Sequence, residues 1–96
     1  MKEEIPIEIF NKIFDVLCNF DFEKASEILK TFTNEGDKYE ANELRFFVKE
    51  KLLYIYRKAI EQNSTYYYCS TGFFRFEYND GDFRIALELV DWDTSY

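Results

Sequence analysis

Apolar positions along the chain follow two periodic regimes, and the change from one to the other falls near residue 63. After Pro6, which suits a first helical position because its missing N–H is not needed there, Phe10, Ile13, Phe14 and Leu17 recur at three- and four-residue spacing. That spacing predicts an amphipathic helix reaching about Cys18. Asp21 is placed to cap a second helix whose buried side carries Phe22, Ala25, Ile28 or Leu29, and Phe32. Asn34-Glu35-Gly36 stops it, glycine being at ease in the left-handed conformation that follows a helix. With so short a link, these two helices are expected to form an antiparallel hairpin.

Asp37-Lys38-Tyr39-Glu40 has the form of a capping box, and the helix it opens runs to about Gln62 without Gly or Pro. One apolar stripe is Leu44, Val48, Leu52, Ile55 and Ala59; another is Tyr39, Phe46, Leu53 and Ile60. A helix apolar on two sides is expected to be central, with the helix hairpin on one side and a sheet on the other.

From Ser64 the period becomes two. Thr65 to Cys69, Phe73 to Tyr78 and Phe83 to Val90 are rich in β-forming residues. Asn79-Asp80-Gly81-Asp82 is a hairpin signal, because Asp-Gly accepts the positive φ angles of a type I′ turn. With Asp80-Gly81 as the loop, Phe76 opposes Ile85, Phe74 opposes Leu87 and Glu77 opposes Arg84, so that like meets like and opposite charges meet. Taking Ser70-Thr71 as the preceding tight turn sets Tyr67 over Phe74 on the core side. Tyr66, Tyr68, Phe73 and Arg75 then share the far face. The predicted fold class is α+β: an N-terminal helix hairpin plus a long third helix over 5–62, a three-stranded antiparallel meander over 64–91, and an acidic tail over 92–96. Ninety-six residues suit one domain spanning 1–96.

Composition adds to this picture. Eleven Phe, eight Tyr and one Trp give a small domain large buried area per residue, offsetting chain entropy. The two cysteines, Cys18 and Cys69, lie in separate segments outside any CxxC pair and read as small core residues of a reducing compartment. Met1 leads straight into Lys2-Glu3-Glu4 without an apolar leader, and no stretch has membrane-spanning length, so the cytoplasm is the expected location, that of the bacterial host if the chain is phage-encoded. Phe, Tyr, Met, Ile, Asn and Lys make up 42 of the 96 residues and Gly, Ala, Arg and Pro only 12, which points to an AT-rich genome such as that of a low-GC bacterium or its phage.

The net charge of −7 is unevenly spread: −5 over residues 1–37, +3 over 38–76 and −5 over 77–96. Without a basic stripe to release counterions, direct nucleic-acid binding is not expected. Lys49, Lys51, Arg57 and Lys58 are placed on the solvated surface of the long helix.

Catalytic signatures are missing from the sequence. There is no His, so Ser-His and Cys-His nucleophiles are impossible. Cys69-Ser70 has no base assigned to it. Placing Gly81 at the sixth position of a calcium loop puts Phe76 first, where a ligand is required, so that pattern fails. The expectation is a binding protein, with no enzyme activity, cofactor or metal.

Two features are candidates for binding. Asp80, Asp82, Glu88, Asp91 and Asp93, with Trp92 among them, could imitate a phosphate backbone and occupy the basic groove of a nuclease or other nucleic-acid-binding protein, as small acidic phage inhibitors do. Tyr66, Tyr68, Phe73 and Arg75 have the composition of an interface hot spot, which suits a homo-oligomerising assembly protein. A third expectation is an antitoxin or immunity partner of a basic toxin. Ordinary solubility charge and a covered sheet face are the plain alternatives to these readings.

Overall fold

The computed structural model describes residues 5–31 and 39–87. Three helices, α1 (Ile7–Asn19), α2 (Phe22–Thr31) and α3 (Ala41–Glu61), precede three strands, β1 (Tyr66–Ser70), β2 (Phe74–Asn79) and β3 (Asp82–Leu87). The fold is α+β, with an antiparallel sheet in the order β1-β2-β3. No helix among the described residues is long and apolar enough to cross a membrane.

Pro6 is the N-cap of α1, its carbonyl accepting from the amides of Ile9 and Phe10 at 3.0 and 3.2 Å. The buried face of α1 is not the one expected from Phe10 and Phe14. Ile9 and Ile13 are buried, Val16, Leu17 and Phe20 pack partly against the core, and Phe10 and Phe14 lie in solvent. Both rows have helical spacing; only the tertiary fit of α1 against α3 and β3 selects one. Cys18 is correspondingly exposed, not the core residue expected, whereas Cys69 is half-buried against the core.

Asp21 caps α2 as expected, its Oδ1 accepting from the Lys24 amide at 3.0 Å. Phe22, Ala25, Ser26 and Leu29 form its buried side. The expected contact of Phe32, the stop at Asn34-Glu35-Gly36 and the Asp37-Lys38 part of the capping box lie outside the described residues; Glu40, expected inside the first turn of the third helix, is instead its extended N-cap and makes no side-chain capping bond. The link between α1 and α2 is short, yet α1 makes its main contacts with α3 and β3, and α2 with α3, rather than with each other. Phe20, extended in backbone, links the two helices, and its ring stacks edge-on against Phe22 and Phe74 at 5.0 and 6.2 Å. At the far end of α2, Lys30 reaches Glu40 at 3.1 Å.

Helix α3 is the spine. Ala41, Leu44, Val48, Leu52, Ile55 and Ala59 are buried along its whole length, the expected first stripe plus one more turn. The second stripe is not covered as expected: Phe46 and Ile60 are exposed and Leu53 is half-buried. Among the described residues α1, α2, β1 and β2 are the neighbours of α3, and its residues opposite the first stripe, Phe46, Glu50, Arg57 and Ile60, are exposed.

The β2–β3 hairpin has the predicted register, with Phe76 opposite Ile85 and Glu77 opposite Arg84. Asp80 and Gly81 have φ of 47° and 93°, the two positive values of a type I′ turn. In the first hairpin the turn is Gly72-Phe73, not Ser70-Thr71: the Thr71 amide donates to the Phe74 carbonyl at 2.9 Å, and Tyr67 opposes Tyr78 instead of Phe74. Gly72, at φ 98°, supplies the left-handed backbone that a β-branched Thr resists. This four-residue shift is even, so it leaves each β1 side chain on its expected face. Phe74, Phe76 and Tyr78 are buried beneath α3, where Phe47 meets the rings of Phe74 and Phe76 at 6.3 and 6.2 Å.

Candidate interaction surfaces

Sheet alternation exposes Tyr66, Tyr68, Arg75 and Arg84 on the far face, with the half-buried Glu77 at its centre. The Arg75 guanidinium sits 4.6 Å from the Tyr68 ring centroid, a cation–π contact. The Tyr66 hydroxyl donates to Glu77 Oε2 at 2.9 Å, and this bond to the neutral phenol raises the Tyr66 pKa above its ordinary value of 10.0. Phe73 does not join this cluster. As the second residue of the turn it swings toward α3, stacking edge-on with Tyr39 at 5.6 Å. The far face is therefore smaller and more polar than the sequence implied, and its aromatic side chains already have polar or cationic contacts.

Phe73 instead helps to line an open cleft of about 440 Å³ at the start of α3, with Tyr39, Phe46, Phe47 and Phe74 as further aromatic walls and Glu43 and Glu50 at its rim.

Of the acidic set, Asp80 and Asp82 are exposed at the β2–β3 tip. Asp82 is not a bare charge: Lys12 of α1 donates to its Oδ1 at 2.6 Å, which raises the Lys12 pKa through the hydrogen bond and the charge of Asp82. Glu88, Asp91, Trp92 and Asp93 lie outside the described residues. The described residues carry 12 acids and 10 bases, so most of the net charge of −7 belongs to the remaining segments. Among the described residues no three or more Cys, Asp or Glu side chains converge as they would around a metal ion.

A third surface was not singled out from the sequence. Ile7, Phe14 and Phe46 are 69%, 65% and 59% exposed, with Phe10 and Ile60 close to half. Phe10, Phe14 and Leu17 of α1 face Lys49 and Leu53 of α3 across a shallow groove. Lys49 lies along the Phe46 ring, 5.2 Å from its centroid, extending the groove wall. Phe46, Leu53 and Ile60 are seven residues apart and so follow one line down α3. The signal for this surface is a surplus: α1 has Ile7, Ile9, Phe10, Ile13, Phe14, Val16 and Leu17 within eleven residues, more than one helix face can bury.

Compared with protein-family models, with curated proteins and with solved structures, the chain matches none.

Proposed function

We propose that this chain is a protein-interaction domain that works by docking its exposed helical apolar surface, formed by α1 and α3, against another polypeptide. One observation carries this reading: large apolar side chains on two adjacent helices, Ile7, Phe10 and Phe14 of α1 and Phe46 and Ile60 of α3, are left in water, and Phe10 and Phe14 line a groove with Leu17, Lys49 and Leu53. Scattered single apolar residues are ordinary on a protein surface, but a contiguous tract of this kind is characteristic of interfaces. The chemistry required of the protein is burial alone, and no catalytic role is assigned to any residue. The cytoplasm remains the proposed compartment.

A second reading, a small acidic inhibitor of phage or mobile-element origin that occupies the basic surface of a nuclease, is favoured by where the charge lies. Asp80 and Asp82 stand at the tip that begins β3, and Glu88, Asp91 and Asp93 follow the same strand in sequence. An antitoxin acting on a basic toxin would use the same groups. Assembly through the Tyr66–Tyr68–Arg75 sheet face is less favoured, because those side chains have partners within the sheet.

The test compares capture of binding proteins from a low-GC bacterial lysate by the wild-type chain, by Phe14→Glu/Phe46→Glu and by Asp80→Asn/Asp82→Asn/Asp91→Asn/Asp93→Asn, each eluted with a salt gradient. Partners held through high salt and lost from the Phe variant support apolar docking. Partners released at moderate salt and lost only from the Asp variant support the acidic inhibitor, since surface charge is screened by salt. Docking through α1 and α3 is ruled out if the Phe variant changes neither capture nor self-association.

A further inference from the structure

We infer that the partner seated on the α1–α3 apolar surface is a second copy of this chain, packed about a two-fold axis that passes close to Leu53 with the two α3 helices antiparallel. The inference rests on the docking reading above and names its partner.

The first argument is the symmetry of the stripe. Phe46 and Ile60 stand seven residues to either side of Leu53, about 21 Å of helix from end to end. An antiparallel two-fold through Leu53 sets Leu53 against its own copy and Phe46 against Ile60 of the other chain, large apolar group on large apolar group at every level. A two-fold interface must be self-complementary in this way, the same patch serving on both sides.

Charge supplies the second argument. Glu50 lies three residues before Leu53 and Arg57 four residues after it, both exposed and on the same flank of the stripe. In antiparallel packing the same flanks of the two helices meet, so Glu50 of each chain falls beside Arg57 of the other, one pair on each side of the axis. Like charges at these two positions would oppose pairing, and opposite charges steer it.

Area is the third. Ile7, Phe10, Phe14, Phe46 and Ile60 are 46–69% exposed. At about 200 Å² per large side chain they offer roughly 600 Å² of apolar surface. A standard interface takes roughly 800 Å² from each partner, and the half-buried Leu53 and the Lys49 stem add to that total.

Sedimentation equilibrium over a wide concentration range tests the inference, against a protomer mass of 11.7 kDa. The expected result is a monomer–dimer equilibrium for the wild-type chain. Phe14→Glu and Phe46→Glu should each leave only monomer at concentrations where the wild type is dimeric, with unchanged circular dichroism because both side chains lie in solvent. Glu50→Arg should weaken the dimer by about tenfold, and Glu50→Arg/Arg57→Glu should restore it to within about threefold, since the swapped pair is again complementary. A wild-type chain that stays monomeric at high concentration overturns the inference while leaving docking to a foreign protein intact. A dimer indifferent to Phe14→Glu and Phe46→Glu, or one in which the double charge swap is no better than Glu50→Arg alone, overturns it as well.

Discussion

Tyr66 and Glu77 meet diagonally across the β1–β2 pair, the tyrosine hydroxyl donating to the carboxylate at 2.9 Å although their backbone partners are Asn79 and Tyr68. The bond uses the phenol proton, so ionising Tyr66 breaks it and places two negative charges together. Tyr66 should therefore titrate above 10.0. Because its pKa in the folded chain is raised, the contribution of this bond to stability is fully present below the unfolded value. It is lost as pH rises through the folded value. Tyrosine-resolved NMR titration should place Tyr66 above 10.0, and Glu77→Gln should bring it back down. A Tyr66 that titrates at 10.0 in the wild type would contradict the bond.

The β2–β3 tip makes a different kind of prediction. No atom stands within 4 Å of a Cβ built on Gly81, yet its φ is 93°. Gly81→Ala should cost about 1–2 kcal/mol through backbone strain alone. Asp80→Asn should leave stability within about 0.5 kcal/mol, Asn being as suited as Asp to that turn position. Urea denaturation of both variants measures this, and equal effects would argue against the type I′ geometry.

Phenylalanines at Phe76 and Phe46 should respond oppositely to truncation. Phe76 is fully buried between β1, β3 and α3, and Phe76→Ala should cost about 3–5 kcal/mol or prevent folding. Phe46 is 59% exposed, and Phe46→Ala should change monomer stability by no more than about 0.5 kcal/mol. Thermal unfolding at low protein concentration, where self-association does not contribute, separates the two.

Thiol accessibility gives a direct check on the orientation of α1. Cys18 is exposed and Cys69 half-buried. In native buffer a maleimide reagent should label one thiol quickly, mapped to Cys18 by peptide mass, and the second only slowly or after denaturation. Equal rates, or Cys69 reacting first, would mean that α1 is rotated so as to bury its Phe10–Phe14 row instead.

Much of the fold was legible in the sequence because its signals are local. Gly and Asp fix where the chain can take positive φ, Asp21 offers a side-chain acceptor three residues before Lys24, and the spacing of Leu44, Val48, Leu52, Ile55 and Ala59 sets the buried line of α3. The even period of the sheet likewise determined which β1 residues face away, even with the turn misplaced by two residues. Tertiary structure alone decided which of two equally periodic rows α1 buries, that Cys18 and Phe46 face water, and that Phe73 leaves the sheet face for the start of α3. It also decided that Lys12 meets Asp82, 70 residues away. The physical reason is that periodicity says which side chains share a face, whereas burial depends on which faces find a neighbour. Here the described residues have more apolar faces than neighbours to cover them, and the one left over, along α1 and α3, is where binding is proposed to lie.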